Sequence, residues 1–421
     1  MFQPKTMHET IMPLLVVNFI LGIGNWTSSK LGKILNMAYS LVCLVMYCVL
    51  IKFTKEYLCT YYSTIANEFG LWTFKAMFYS NICSALFLVI NSWLNRKHME
   101  VAMMRIMMCE KTMEQMGLEK KYRKLYLNQL YELGFVMLMF IVFIIINHNG
   151  QFETDTPLYI KIIFVFTINY PMILLYVSDI SFLHWVRYAK LRFEQLNSLL
   201  QRMLTTTLDW PQHKRLLKML DEWNETFTSG TQQDHRFEDN INTIKAVKQV
   251  HLELIKATRN MNEAYGMQIL SSMTMSFVFI TCLLNYAYKI FWTSDDLTNR
   301  DNTEMMSTIG WILFYVSKVF IINHMCTLTS IEAANTGDII CELHEPSISK
   351  EFRAEIRDFT LQLIQNPLIF TACGFFTLED SFIHGVIGTV ATYLVILIQV
   401  GDLQDKVAEP KMKETYNTSE A

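Results

Sequence analysis

Ala264–Tyr288 reads AYGMQILSSMTMSFVFITCLLNYAY, twenty-five residues with no Asp, Glu, Lys or Arg among them. The hydrocarbon core of a bilayer is roughly 30 Å thick and is crossed by about 20 apolar residues in a helix. Backbone groups inside lipid must be satisfied within the segment, so a helix is the expected form. Six further stretches have the same character: Ile34–Ile51, Ala76–Asn95, Leu133–Phe152, Ile162–Ser178, Met305–Ile331 (which contains Lys318) and Phe382–Val400. The 421 residues are 52% hydrophobic and 18% charged, whereas a soluble protein carries about 25% charged residues. The expected fold class is an all-α membrane protein with seven transmembrane helices. A net charge of −3 without a basic block gives no footprint for nucleic acid.

Thr10–Ser29 is also uncharged, but Pro13, Asn18, Gly22, Gly24 and Asn25 weaken it as a span. It lacks the small-residue cleavage pattern of a signal peptide. A short interfacial or re-entrant helix is expected there. Lys and Arg then orient the chain. With the N-terminus in the cytoplasm and the C-terminus outside, the cytoplasmic parts hold 26 of the 36 Lys and Arg, and the outer parts hold 9. This divides the chain into a cytoplasmic N-terminal part with the interfacial helix (1–33), the first four spans with their loops (34–178) and a cytoplasmic helical region (179–263). Spans five and six (264–331), a cytoplasmic connection (332–381), the last helix (382–400) and an extracellular tail (401–421) follow.

The cytoplasmic region reads as helix. Val186, Phe193, Leu196, Leu200 and Met203 recur at helical spacing, as do Ile241, Ile244, Val247, Leu254, Thr258 and Met261 running into the fifth span. Leu216, Leu217, Leu220 and Trp223 follow a break at Asp209-Trp210-Pro211, and Ser229–Asn240 reads as a polar loop. These long helices are expected to continue below the membrane as an anchor domain. Their apolar stripes suit an intrachain core or a subunit interface. Asn366-Pro367 marks a helix break in the last cytoplasmic connection.

Enzyme chemistry is not expected. The sequence holds no H-E-x-x-H, phosphate loop or G-x-S-x-G, and the nine cysteines are scattered singly without a C-x-x-C, so neither a cofactor nor a metal is implied. Asn417-Thr418-Ser419 is a glycosylation acceptor pattern on the expected outer tail.

The last span ends Thr392-Tyr393-Leu394-Val395-Ile396-Leu397-Ile398-Gln399-Val400. It is polar at Thr392, Tyr393 and Gln399, and Thr392 and Gln399 lie two turns apart on one face. That face should avoid lipid, either as interhelical glue or as a pore lining. The stretch resembles the signature of insect gustatory receptors: Thr-Tyr, five apolar residues, then Gln-Phe. Phe370–Glu379, which reads FTACGFFTLE, resembles that family's approach to its final helix. Met12-Pro13-Leu14-Leu15 with Leu21-Gly22 resembles its N-terminal pattern. Val400 departs from the family's Phe. Leu394 stands where the main sugar-receptor branch tends to have Glu, which places the resemblance nearer the fructose-type and bitter-type branches. The resemblance implies a ligand-gated, non-selective cation channel in the plasma membrane of a sensory neuron. It implies a homotetramer, or a heteromer with related receptors, whose last helices line the pore. Gln399 would form a polar ring and Val400 a small hydrophobic plug, with a small organic tastant, a sugar or a bitter compound, as ligand.

A ligand arriving from outside would meet the outer halves of the spans. These hold Tyr79, Asn81 and Ser84, then Asn147 and His148, Asn285 and Tyr286, and Trp311 and Tyr315. Aromatic faces with a few amides suit a small polar organic molecule, although core packing or an interfacial belt places aromatics equally well. Lys318 stands alone in an uncharged span, as a partner of Asp179, a gating charge or a snorkelling side chain. Two rivals remain at this level. A G-protein-coupled receptor would need the opposite orientation, and a small-solute transporter would need repeats and broken helices that are not seen.

Overall fold

The computed structural model describes residues 4, 6–23, 30–62, 68–148, 157–206, 230–293, 299–343 and 350–419. Side chains are described at 4, 6–23, 31–54, 75, 78–142, 144–146, 157–203, 241–288, 305–343 and 350–399. The described residues are almost entirely helical, in the order α1 (Met7–Ile20), α2 (Lys30–Tyr62), α3 (Glu68–Leu94), α4 (Arg96–Gln115), α5 (Tyr122–His148) and α6 (Leu158–Thr206). Then come α7 (Gly230–Thr293), α8 (Asn299–Glu342), α9 (Lys350–Gln365), a hairpin of β1 (Thr371–Ala372) and β2 (Phe376–Thr377), and α10 (Asp380–Ser419).

Six of these helices (α2, α5, α6, α7, α8 and α10) are long and apolar enough to cross a membrane, and α3 adds the apolar stretch Phe78–Leu94. Leu41, Val42, Val45, Leu138, Ile141, Leu313 and Phe320 are exposed on their outer surfaces, as a lipid-facing bundle requires. α6, α7 and α8 contain 49, 64 and 44 residues, or roughly 74, 96 and 66 Å at 1.5 Å per residue. A 30 Å bilayer leaves more than half of each outside, where the projecting parts pack on one another.

The buried side chains form two cores. One, in the membrane half, joins Phe78, Leu88, Phe140, Phe164, Leu174, Phe279 and Trp311. The other, in the projecting base, joins Ile106, Phe182, Phe193, Leu196, Leu200, Ile244, Val247, Leu254, Ile340 and Phe359. The helical stripes read from 186–203 and 241–261 therefore meet within one chain. Two expectations are corrected. The backbone of Ser229–Asn240 is helical from Gly230, because the polar run after Gly230 contains no Pro or Gly to stop a helix. The last helix does not end at Val400 but runs on to Ser419, since charged residues end a span without ending a helix. The stretch Asp209–Trp223 lies outside the described residues, as do the side chains of Asn417-Thr418-Ser419.

α1 is a short helix, as expected. The Thr6 hydroxyl accepts from the Glu9 amide at its start (3.2 Å). At its end the amides of Gly22 and Ile23 donate to the carbonyls of Phe19 and Asn18, both at 3.0 Å, the Schellman arrangement. Gly22 sits at φ +75, and a Cβ there would lie 2.9 Å from Cys43 Cβ, so only glycine fits. Fourteen residues reach about 21 Å. α1 lays Met7 and Ile11 into the base core and Leu14 into the membrane core.

In the base, Arg192 of α6 is 1% exposed and pairs with Glu110 of α4. Glu110 also accepts from the Tyr188 and Tyr122 hydroxyls, the latter at 2.7 Å. Removing one partner of such a pair strands the other charge. Glu110→Ala is therefore expected to cost about 3 kcal/mol or more of stability, read as a lowered midpoint when detergent-purified protein is heated and passed over a sizing column. Arg357→Ala, at an exposed pair with Asp358, should leave the midpoint unchanged.

Candidate functional site

In the membrane half, one face of α8 presents Trp311, Phe314, Tyr315 and Lys318, at the i, i+3, i+4, i+7 spacing of neighbouring turns. Facing helices close an aromatic cage on it. Phe314 stacks on Tyr176 of α6 (ring centroids 4.9 Å) and Tyr315 on Phe279 of α7 (5.0 Å). Phe140 of α5 meets Phe314 edge-on at 5.6 Å and Trp311 at 6.2 Å. The cavity lined by Phe140, Tyr176, Phe279, Phe314 and Tyr315, with Asn81, Met172, Leu175, Met275 and Lys318, has a volume of only about 10 Å³, room for roughly one water. Asn81 is buried, and its Oδ1 has no hydrogen-bond partner among the described residues. The cage is thus a closed aromatic pocket with an amide acceptor and an ammonium at its edge.

Of the readings open for Lys318, the structure shows the pair with Asp179. Lys318 Nζ lies 2.9 Å from Asp179 Oδ2, with both side chains at most 5% exposed. Ser272 of α7 donates to the same oxygen at 2.7 Å, and the ammonium sits 5.9 Å from the Tyr315 ring centroid, within cation–π range. Three helices are tied at one level by this cluster.

α8 also holds the start of the last helix. The Asp380 amide donates to Thr327 Oγ1 (3.0 Å), and Asp380 Oδ2 lies 3.2 Å from His324 Nδ1. The hairpin before α10 turns at Cys373 and Gly374, with φ of 52° and 76°, and Leu378 donates back to the Phe370 carbonyl at 2.9 Å. It lies against Gly266 of α7, where a Cβ would come 3.2 Å from the Cys373 nitrogen. Among its described side chains α10 is otherwise little covered. Only 6% of its most apolar window is buried. Val390 packs inward and Tyr393 meets the Phe277 ring edge-on at 5.8 Å. Gly385, Gly388, Thr389, Thr392 and Gln399 are exposed along the other side, and Thr392 Oγ1 donates to the Gly388 carbonyl at 3.0 Å.

The expected ligand residues are therefore split. Tyr315 and Asn81 meet in the cage, and Trp311 packs on its rings Phe140 and Phe314 without lining the cavity. Tyr79 and Tyr286 face outward, 46% and 43% exposed. Ser84 and Asn285 are buried but do not line the cage. The side chains of Asn147, His148 and Val400 lie outside the described residues. Phe140, Tyr176, Phe279 and Phe314 were missed. Phe314 shares a helix face with Trp311, Tyr315 and Lys318, whereas the other three sit on separate helices and nothing in the sequence marks them as pocket residues.

Among known proteins, the family described as 7tm chemosensory receptor matches residues 11–404. The gustatory and pheromone receptor 32a of Drosophila melanogaster is 28% identical over 40% of this chain and 36% of its own length. The gustatory receptor for sugar taste 43a of the same fly is 28% identical over 37% of this chain and 35% of its own length. The matched stretches thus span little more than a third of these relatives. A solved insect olfactory receptor from Machilis hrabei, in complex with eugenol, shares the fold over 94% of this chain and 98% of its own, with a TM-score of 0.60 and 13% identity. A span-rich, all-helical bundle of this shape, matched over nearly its whole length, belongs to the 7tm chemosensory receptor family.

Proposed function

We propose that this chain is a gustatory receptor that acts as a ligand-gated, non-selective cation channel opened by a small organic tastant, a sugar or a bitter compound. The observation that carries the proposal is α10, a helix apolar enough to span yet almost uncovered by its own chain, with Gly385, Gly388, Thr389, Thr392 and Gln399 along one exposed side. Lipid suits the apolar residues of that surface but not a polar row. A symmetric assembly of several copies covers the row and turns it to a common axis, where it lines a path for permeant cations. Gln399 then forms a polar ring and Val400 a hydrophobic constriction. The copies are four identical subunits, or a mixture with related receptors; one relative, from Ooceraea biroi, is named an odorant receptor coreceptor.

Gating follows from α8. A ligand entering the cage must part the stacked rings, because about 10 Å³ admits no tastant. It therefore binds a conformation other than the closed one and shifts the population toward it. α8 carries the cage at 311–318 and holds α10 at His324 and Thr327, so displacement of one end of α8 is felt at the root of the pore helix. The base, built from α4, the projecting parts of α6, α7 and α8, and α9, lies in the cytoplasm in this proposal, with the N-terminus, and the C-terminus is extracellular. The setting is the plasma membrane of a sensory neuron.

Whole-cell recording from cells expressing the chain, challenged with sugars and bitter compounds, tests the channel. A ligand-evoked cation current independent of G proteins is expected, with Gln399→Ala and Val400→Phe altering conductance or gating. A response abolished by G-protein block returns the G-protein-coupled alternative, and substrate-driven flux without channel current returns the transporter. Within a responding channel, Tyr315→Ala should raise the half-maximal concentration by about tenfold, the loss of roughly 1.4 kcal/mol of contact; an unchanged dose response moves the ligand elsewhere.

Orientation has its own measurement. Cys341 and Cys373 are exposed on the base, whereas Cys109 is buried with its thiol pushed up to about 12 by desolvation. A membrane-impermeant maleimide should modify Cys341 and Cys373 only after permeabilisation and spare Cys109 throughout. Labelling of Cys341 and Cys373 in intact cells would reverse the topology.

A further inference from the structure

A second cavity lies apart from the aromatic cage. About 280 Å³ opens where α1, the start of α2, the α3–α4 junction, α6 and α7 meet, close to the lower limit for small-molecule pockets. Its wall is apolar on the side of Ile11, Leu14, Leu15 and Met103. Its least covered lining residues are Met37, 51% exposed, and the half-buried Asn95, Arg96 and Met99. The cavity is therefore reached at the level where the membrane half gives way to the base. The charges at this edge are already matched: Arg96 and Lys33 both pair with Glu100, and His98 with Glu263.

Asn18 and Trp93 each bring a buried polar atom to the lining that has no hydrogen-bond partner among the described residues. Asn18 is 8% exposed; its Nδ2 donates to Ser181 Oγ at 3.2 Å, but its Oδ1 accepts nothing among the described residues. The buried indole N–H of Trp93 likewise donates to nothing there. One group is an acceptor and the other a donor, and both residues line the same mainly apolar cavity. Buried polar groups are normally satisfied, and a ligand with one donor and one acceptor would satisfy both.

We propose that this cavity is a binding site for a hydroxyl-bearing apolar amphiphile of the bilayer, such as a sterol or a monoacylglycerol. A hydroxyl supplies both complements, donating to Asn18 Oδ1 and accepting from the Trp93 indole, while the apolar body lies along Ile11, Leu14 and Met103. A carboxylate offers no donor to Asn18, and its charge finds the local cations already engaged. The site is separate from the aromatic cage, and it needs a bilayer but no particular orientation. A ligand there bridges α1 to the α3–α4 junction, so its occupancy would adjust how the membrane half sits on the base.

The test uses the full chain in lipid nanodiscs with a diazirine-bearing cholesterol analogue, photolysed and mapped by peptide mass spectrometry. Adducts are expected on the peptides holding Asn18 and Trp93–Met103. Cholesterol and monooleoylglycerol should compete, and the methyl ether of cholesterol should not. Trp93→Phe and Asn18→Leu should each reduce labelling there about fivefold, near the worth of one buried hydrogen bond, with an unchanged sizing profile. Ser92→Met, which fills the cavity without touching either polar group, should reduce labelling as well. Octanol competing as well as cholesterol would keep the hydroxyl site but make a small soluble alcohol its source. Adducts spread evenly over the lipid-facing residues of α2, or labelling indifferent to all three variants and to the methyl ether, would mean annular lipid beside a water-filled gap and would overturn the proposal.

Discussion

A charge inside a membrane bundle is tolerable only if its partner is supplied by the same fold, and here the partner comes from another helix more than a hundred residues away in the chain. Lys318 of α8 meets Asp179 of α6, with Ser272 of α7 completing the group. The membrane core includes Ile180, Phe279 and Tyr315, while the base core takes in Phe182, Met273 and Val319. The ion pair therefore lies where one core gives way to the other on all three helices. Sliding α6 or α8 by a turn would separate the charges in a medium that penalises each severely, and sliding α7 would take the Ser272 hydroxyl away from Asp179. The pair sets the register of the three longest helices, and the cage above and the anchor below inherit that register.

The second determinant is length. α6, α7 and α8 exceed the bilayer by more than half their extent, and what projects must find its own solvent-excluded core. It does so through aliphatic stripes and through polar clamps that would be costly if incomplete. Glu110, Arg192, Tyr188 and Tyr122 join α4, α5 and α6. Asn197 receives Thr336 Oγ1 at 2.6 Å and donates to Glu332 Oε1 at 2.7 Å, joining α6 to α8. α10 shares none of this. It is held at its root by α8 and by a two-residue hairpin pressed on Gly266, and is otherwise little covered. α10 is thus attached chiefly at its root, whereas the base is closed by its own apolar core.

The candidate site was only partly legible in the residues. Trp311, Tyr315, Asn81 and Lys318 stand out as polar or amphipathic side chains in apolar spans. Phe140, Phe279 and Phe314 do not, because a phenylalanine in a lipid-facing row and one in a pocket have the same sequence signature. Tyr79 and Tyr286 carry the same amphipathic ring as Tyr315 yet face outward. Burial depends on which side of each helix the neighbours occupy, and apolar residues all around a membrane helix erase the periodicity that would report it.

Long uncharged runs determined that the chain is a bundle of membrane helices, since backbone hydrogen bonding in lipid allows no other form for them. Helical spacing determined which sides of 186–203 and 241–261 are sticky, and the isolated charge of Lys318 demanded a partner. Only the tertiary structure decided that those sticky sides meet each other, that the partner is Asp179, and that the aromatic cage is closed. It also decided that α10 is little covered and that a cavity opens between α1, the α3–α4 junction and α6. Each of these depends on contacts between segments far apart in the chain, and spacing along one helix carries no information about the helix opposite.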